Sequence, residues 1–221
     1  GHHVDEYQEM FDLSEHDLKA SVLEYGCGPS AVNVEIHDSN AHVISCDPLF
    51  NLDKSTLSSK VSLVFEQMVD AVKEEQDKFD FSHYHSLEKL IARRKQGLDA
   101  FFADYEQGRK DNRYQALNEH SLPFGDFSFE YALSSHYLFA DMEEQDVSFH
   151  LNLIRELARV AREVRIFPLI DRFGEPSPLL GPVLLGLQKE NYGVEVREVP
   201  YRLQTKGNAM LRIWAQVCPV G

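Results

Sequence analysis

Hydrophobic and polar positions follow two different periods along this chain, and each period predicts a different kind of element. Short apolar runs bounded by turn residues predict strands, and apolar residues three or four positions apart predict helices with one buried face. Runs that predict strands lie at residues 22–25, 42–46, 114–117, 129–134 and 163–168. Helical spacing predicts helices at residues 29–36, at 144–162, and from the prolines of 176–182 to a closing Gly193. Residues 194–217 predict a pair of strands joined by a hairpin turn at 206–208.

A long segment with helical spacing, residues 54–112, separates the second predicted strand from the third. Its apolar residues fall on one face of each of two predicted amphipathic helices. Alternating strands and helices predict an α/β fold, and the final hairpin adds an antiparallel strand to a mostly parallel sheet. We therefore predict one domain over residues 1–221, with a seven-stranded sheet, helices on both faces and residues 54–112 as a helical insertion.

Composition limits the classes of partner. The chain has 221 residues, of which 43% are hydrophobic, so it can bury a sizeable core. Its formal net charge of -14 repels phosphate backbones and anionic lipid, and no local basic patch offsets that charge. We expect a small-molecule substrate, with neither a nucleic acid nor a membrane as partner.

The cysteines indicate a reducing environment. Cys27, Cys46 and Cys218 are odd in number and widely spaced, which predicts neither a disulfide framework nor a zinc site. We therefore predict no metal site. No apolar run approaches the roughly 20 residues that a membrane helix needs. Together these features predict a cytoplasmic protein.

The most informative stretch is SVLEYGCGPSAVNVEIHDSNAHVISCDPLF, residues 21–50, which combines a strand, a glycine turn, a helix and a second strand. Gly26 and Gly28 remove side chains from the turn, so that backbone amides can approach a ligand closely. Asp47 ends the second strand, where an acid can accept hydrogen bonds from ribose hydroxyls. The pattern predicts a nucleoside-binding site, although a glycine turn can also serve packing alone.

Two nucleoside cofactors compete for this site. GCGPSA fits the dinucleotide pattern G-x-G-x-x-G/A with Ala31 last, and Asp47 lies near the ~20-residue spacing expected for NAD(P). However, Pro29 and Ser30 would open the helix, and Glu24 lies two residues before the first glycine, an acid that the dinucleotide pattern does not require. These features favour S-adenosylmethionine (SAM) as the cofactor and S-adenosylhomocysteine as the product.

Four segments resemble the motifs of class I SAM-dependent methyltransferases. They are VLEYGCGPS, VISCDPLF, LPFGDFSFEYALSSHYLF and LIRELARVAREVRIF. The two closing strands are similar to the terminal antiparallel hairpin of that family. MFDLSEHDL, CDPLF, REVRIFPL and GNAMLRI look closer still to an uncharacterised bacterial group within it. The resemblance covers nearly the whole chain.

The resemblance implies a role for individual residues. Gly26, Cys27 and Gly28 would lie beside the methionine moiety, and Glu24 would support the turn. Asp47 would bind the ribose.

Further contacts would come from later in the chain. Pro48 would lie beside the adenine, and Asn118, with Glu119 next to it, would meet its amino group. Ser134 would join the cofactor contacts from the end of the fourth strand. The sequence departs from the family in carrying Ser30 as the third small residue of the turn, and it lacks the usual glycine pair before the fifth strand.

The candidate catalytic residues follow the fourth strand. Methyl transfer from a sulfonium needs the acceptor held in line, so positioning supplies much of the rate. His136, with Tyr137 beside it, is the candidate general base, because histidine accepts protons at neutral pH. An equal alternative is that His136 only caps the strand. The SSHY sequence is not the N/D-P-P-Y run of enzymes that methylate bases or glutamine, which leaves a small-molecule acceptor.

The insertion at 54–112 is a candidate lid over the substrate. Its aromatic residues Phe101, Phe102 and Tyr105 predict either a pocket wall or ordinary core packing. Three functions follow from the sequence. The first is a SAM-dependent methyltransferase of a small molecule; the alternatives are an NAD(P)-dependent oxidoreductase and a non-catalytic protein that binds a cofactor or a partner.

Overall fold

A computed structural model describes residues 1–117 and 121–216 of the chain. Seven strands in these residues form one sheet with the order β3-β2-β1-β4-β5-β7-β6. The strands are β1 (Val22–Tyr25), β2 (Val43–Cys46), β3 (Tyr114–Gln115), β4 (Phe129–Ser135), β5 (Ala161–Phe167), β6 (Tyr192–Glu198) and β7 (Ala209–Ala215). β1 to β5 pair in parallel, whereas β7 is antiparallel to both β5 and β6. The predicted seven-stranded, mostly parallel sheet with an antiparallel closing hairpin is confirmed.

The described residues contain six α-helices. They are α1 (Val4–Phe11), α2 (Val32–Asp38), α3 (Lys54–Glu74), α4 (Leu87–Lys110), α5 (Val147–Val160) and α6 (Leu180–Lys189). One apolar cluster joins α5 and α6 to one face of the sheet, and a second joins α1 and α2 to the other face. The predicted arrangement of helices on both faces of a single α/β domain is therefore confirmed.

The side chains of β1 show how the sheet separates these two faces. Leu23 and Tyr25 belong to the cluster beneath α5 and α6, whereas Val22 belongs to the cluster beneath α1. Burying one such aliphatic side chain contributes about 1.5–3 kcal/mol, so both clusters hold the strand in this register. A strand places alternate side chains on opposite faces, so Glu24 points to the same side as α1.

Helices α3 and α4 fill the segment between β2 and β3, and each begins with a capping side chain. The Asp53 carboxylate accepts a hydrogen bond from the Thr56 amide at 2.8 Å, and the Ser86 hydroxyl accepts one from the Lys89 amide at 3.1 Å. Phe101 and Tyr105 of α4 are fully buried against Phe50. The packing interpretation of the aromatic stripe is correct.

Several predicted boundaries differ from the structure, and two of the differences have a clear physical reason. The helix predicted at 29–36 begins only at Val32, because the Ser30 hydroxyl accepts a hydrogen bond from the Val32 amide and keeps the preceding residues in the turn. Gly193 does not close α6, which ends at Lys189, but lies inside β6. The ring of Trp214 covers Gly193 so closely that a Cβ there would lie 2.1 Å from it.

Candidate functional site

The turn after β1 contains two glycines that the structure uses differently. Gly26 has φ +67° and Gly28 has φ +56°, a left-handed conformation that disfavours residues with a side chain. A Cβ on Gly26 would lie 2.4 Å from the ring of Tyr137, so this glycine accommodates the protein's own side chain. A Cβ on Gly28 would meet nothing within 4 Å. The open face of the turn therefore lies at Gly28.

Asp47 lies directly against this turn. Its Oδ2 accepts a hydrogen bond from the Gly28 amide at 2.7 Å, and its Oδ1 accepts one from the Leu49 amide at 2.9 Å. The side chain is 6% exposed, and burial raises its pKa against the opposing effect of these two amides. Because each carboxylate oxygen has two acceptor positions, Asp47 can hold the turn and still accept hydrogen bonds from a diol.

Glu24 lies beneath the turn in a buried polar network. Tyr7 of α1 donates its hydroxyl proton to Oε2 at 2.6 Å, and Ser45 of β2 donates to Oε1 at 2.6 Å. Asn33 of α2 in turn donates to the Ser45 hydroxyl at 2.8 Å. Glu24 is 1% exposed, and burial raises its pKa even though both hydroxyls oppose the shift. With both oxygens engaged inside the protein, Glu24 is placed to support the turn.

Ser135 at the end of β4 and Tyr137 just after it reach the turn or the network beneath it. Ser135 lies 3.1 Å from the Tyr7 hydroxyl, so this strand also reaches the network of Glu24. The Ser134 hydroxyl is fully buried, and it has no hydrogen-bond partner among the described residues. Tyr137 covers Gly26 with its ring. Most buried hydroxyls are paired, so the Ser134 hydroxyl stands out as a donor that no described residue uses.

His136 follows β4 in a left-handed conformation with φ +57°, and its amide donates to the Phe167 carbonyl at 2.8 Å. Its ring stacks on that of His2 at a centroid distance of 4.9 Å. His136 is exposed, and it lines a cavity. Desolvation lowers the pKa of His136 to about 4, with a further contribution from the Arg94 guanidinium. His136 is therefore neutral at pH 7.

A cavity of about 840 Å³ lies between α3 and α4 and reaches the glycine turn. Cys27, Leu49 and His136 line it at that end. Burial raises the pKa of the Cys27 thiol, with further contributions from Glu24 and Asp47, so the thiol is neutral beside the turn. The cavity therefore brings space for a ligand next to Cys27 and His136, two of the predicted site residues.

Sequence reasoning did not find several of these features. Tyr7 and Ser45 carry no motif, and only the fold brings them to Glu24. The cavity wall comes from the aliphatic faces of α3 and α4 rather than from the stripe of Phe101 and Tyr105, which does not line it. The apolar faces at helical spacing were the signal that could have indicated it.

Other predictions lie outside what the structure describes. Asn118 and Glu119 fall within residues 118–120, which lie outside the described residues. Cys218 also lies outside them. Among the described residues, no helix is both long and apolar enough to cross a bilayer.

This chain has similarities to known proteins in sequence and in structure. No protein-family model matches the chain. An uncharacterized protein of Methanocaldococcus jannaschii is 26% identical over 214 residues, which cover 96% of this chain and 94% of that protein. This relative is archaeal, so membership of a bacterial group stays a prediction.

Two solved structures illustrate the level of structural similarity. Magnesium protoporphyrin IX methyltransferase (ChlM) from Synechocystis PCC 6803, with bound SAM, is 12% identical at a TM-score of 0.48, covering 91% of this chain and 73% of that one. TrmN from Thermus thermophilus is 12% identical at a TM-score of 0.46, covering 90% of this chain. This chain spans only 44% of the length of TrmN.

Proposed function

We propose that this chain is a SAM-dependent methyltransferase that acts on a small-molecule acceptor. The observation that carries the proposal is the open backbone at Gly28, held against the Asp47 carboxylate by a hydrogen bond of 2.7 Å. This is the combination that nucleoside binding needs, because the backbone stays accessible and an acceptor for the ribose lies beside it.

The strand order supports SAM over NAD(P). A dinucleotide-binding sheet of the doubly wound type has the order 3-2-1-4-5-6. Here β7 lies between β5 and β6 and is antiparallel to both. That insertion agrees with the terminal hairpin implied by the resemblance to class I methyltransferases. The NAD(P)-dependent oxidoreductase therefore ranks second.

The residues that would hold SAM are those around the open turn. Asp47 would accept from the ribose hydroxyls, Pro48 would lie beside the adenine, and Cys27 would contact the methionine moiety as a neutral thiol. Ser134 would donate its unpaired hydroxyl. Gly26 would shape the turn without contacting SAM itself, because the ring of Tyr137 covers the position that a Cβ would take. Asn118 and Glu119 stay predicted contacts of the adenine.

SAM, when bound, supplies a methyl group on a positively charged sulfur. His136 would accept a proton from the acceptor, since its imidazole faces the cavity and is neutral at pH 7. Tyr137 would position the turn through its contact with Gly26. The net charge of -14 disfavours a nucleic-acid acceptor, and the free Cys27 and Cys46 agree with a cytoplasmic location.

Calorimetry with S-adenosylhomocysteine and NAD in parallel tests this function. We expect S-adenosylhomocysteine to bind and NAD not to bind. Asp47→Ala should weaken S-adenosylhomocysteine by roughly 10- to 100-fold, because hydrogen bonds to a charged group contribute ~1.5–3 kcal/mol each. Asp38→Ala, at an exposed position at the end of α2, is the matched control and should bind normally.

The Asp47 carboxylate also braces the turn, so its loss has to be separated from unfolding. Asp47→Asn keeps one acceptor oxygen and should retain intermediate affinity, and thermal unfolding of each variant shows whether it is folded. Binding of NAD alone would reverse the ranking of the two enzymes. Binding of neither compound to the folded protein would remove the methyltransferase proposal.

A further inference from the structure

The cavity between α3 and α4 is an elongated channel rather than a compact pocket. At one end it is lined by Leu98 of α4 and Leu49 beside the glycine turn. At the other end it is lined by Leu87, at the start of α4, and by Leu203. A helix rises 1.5 Å per residue, so Leu87 and Leu98 lie ~16 Å apart along α4.

The wall of this channel is apolar on both sides. Helix α3 contributes a row of side chains that includes Val61, Phe65 and Met68, and α4 contributes Leu90 and Ile91. The volume of about 840 Å³ lies within the roughly 300–1,000 Å³ typical of small-molecule sites. A channel of this shape and chemistry suits a long aliphatic body more than a polar metabolite.

Two cationic side chains of the described residues line the channel, Arg94 and Lys60, and they differ in what they can bind. The Arg94 guanidinium is buried, contacts Glu6 at 2.5 Å and donates to the Tyr201 hydroxyl at 3.0 Å, so its charge is already neutralised. Lys60 is exposed on α3, and within the described residues it forms no salt bridge or hydrogen bond. Lys60 thus has a free ammonium group beside an apolar channel.

The mouth of the channel has an apolar rim. Leu63, Val64 and Met68 of α3 are 58%, 63% and 41% exposed. Exposed apolar side chains that are contiguous with a cavity are typical of a site through which an apolar molecule enters.

We propose that this channel binds a long-chain aliphatic acid, with its chain between α3 and α4 and its anionic head group beside Lys60. The inference rests on the proposed function, because it makes this amphiphile the methyl acceptor. A carboxylate oxygen would form the new bond to the methyl carbon as the methyl–sulfur bond of the cofactor breaks, giving a methyl ester and neutral S-adenosylhomocysteine with no proton to remove. Lys60 lies in the first half of α3, the half nearer to Leu49 and the glycine turn. The head group is therefore at the end of the channel where the methyl group is delivered.

Calorimetry with dodecanoate and with dodecanol, which share a chain and differ in charge, tests the proposal. Dodecanoate should bind the unmodified protein with one molecule per chain. Ile91→Trp fills the middle of the channel and should weaken dodecanoate by at least about tenfold. Gln96→Trp adds the same ring to an exposed position of α4 outside the channel and should leave the affinity unchanged.

Lys60→Gln tests the head group separately. It should weaken dodecanoate by roughly two- to fivefold, as expected for an exposed ion pair, and leave dodecanol unchanged. An equal loss for both ligands, or none for either, would overturn the assignment of the head group to Lys60. Absence of dodecanoate binding, or equal binding by Ile91→Trp and Gln96→Trp, would overturn the channel itself.

S-adenosylhomocysteine binding to the same variants separates the two proposals. Ile91→Trp should bind S-adenosylhomocysteine as the unmodified protein does, since Ile91 lies on α4 away from the glycine turn. If S-adenosylhomocysteine binds and dodecanoate does not, the inference fails and the proposed function stands. If only dodecanoate binds, the channel is an aliphatic-acid site, and the assignment of its ligand as methyl acceptor is overturned.

Discussion

The glycine-turn end of the sheet and the helical insertion form neighbouring walls of one site, yet they are built in opposite ways. At the turn, Glu24 is 1% exposed and both its oxygens accept hydrogen bonds from Tyr7 and Ser45. In the insertion, the channel is lined by aliphatic side chains, and Val64 is 63% exposed. One wall is fixed by a satisfied buried network, and the other offers an apolar surface.

This difference separates two kinds of recognition. A buried polar network specifies one arrangement, because any change leaves a donor or acceptor unpaired at a cost of ~1–3 kcal/mol. An apolar wall discriminates by shape and volume, and one methylene changes binding by only ~1–3 kcal/mol. The turn is therefore suited to a cofactor, which is the same molecule in every reaction. The insertion is suited to a ligand that the protein distinguishes from others by its shape and volume.

The insertion is attached to the body of the protein through a buried ion pair, and breaking that pair should have the largest effect on stability. Arg94 of α4 contacts Glu6 of α1 at 2.5 Å, and the Tyr84 hydroxyl donates to the same carboxylate. Burial acts to raise the pKa of Glu6, but the Arg94 charge and these hydrogen bonds outweigh it and lower the pKa. Arg94→Met should lower the free energy of unfolding by about 3–5 kcal/mol, because it leaves a buried carboxylate unpaired.

Urea unfolding of a set of variants checks this. Arg93→Met is the matched control, because the adjacent Arg93 pairs with Asp5 at the surface and should cost less than about 1 kcal/mol. The double variant Glu6→Gln with Arg94→Met should recover part of the loss, since it removes both charges. Equal effects of the Arg93 and Arg94 variants would show that the buried pair does not hold the insertion.

The two glycines of the turn should respond differently to alanine. Gly26→Ala combines the left-handed backbone with a collision 2.4 Å from the Tyr137 ring, and should destabilise the protein by about 3 kcal/mol. Gly28→Ala meets no atom and should cost only the ~1–2 kcal/mol of its backbone conformation. It should nevertheless weaken S-adenosylhomocysteine more than its effect on stability suggests, because its methyl group covers the open face.

A double-mutant cycle separates the collision from the backbone cost. In a Tyr137→Ala background, Gly26→Ala should lose the part of its effect that comes from the ring, while Gly28→Ala should be unchanged. Urea unfolding measures how much each variant destabilises the protein. Calorimetry measures how much Gly28→Ala weakens the binding of S-adenosylhomocysteine. If Gly26→Ala costs the same with and without the ring of Tyr137, the two glycines serve the same purpose and the distinction fails.

The comparison also shows what could be predicted from the sequence. The sheet and the turn were predictable because strands, glycines and the acid at Asp47 are signals local in the chain. The partners of the buried groups were not, since Tyr7 reaches Glu24 and Arg94 reaches Glu6 only through the fold. The apolar faces of α3 and α4 were visible, but periodicity does not say which apolar residues pack together and which line a cavity. For that reason Phe101 and Tyr105 fitted both interpretations until their contacts with Phe50 were known.

His136 lines the cavity at its glycine-turn end. Its titration is the test with the smallest expected effect. Desolvation in the cavity, aided by the Arg94 charge, lowers the pKa of His136 to about 4 from an ordinary value of 6.5. The unfolded chain therefore binds a proton near pH 6.5 that the folded chain does not, so this group makes the protein less stable as the pH falls from 6.5 towards 4. Nuclear magnetic resonance of the imidazole C–H should show the low midpoint, with His136→Gln identifying the signal.

A midpoint near 6.5 would mean that the channel is open to bulk water and that its wall does not desolvate the site. The low midpoint instead keeps the imidazole neutral throughout the physiological range. A neutral imidazole can accept a proton from a hydroxyl group. It can also lie beside a carboxylate, which is already deprotonated. His136 can therefore act as a base for a hydroxyl acceptor, whereas an aliphatic carboxylate at Lys60 needs no base. Loss of methyl transfer in His136→Gln with dodecanoate as acceptor would accordingly indicate a positioning role.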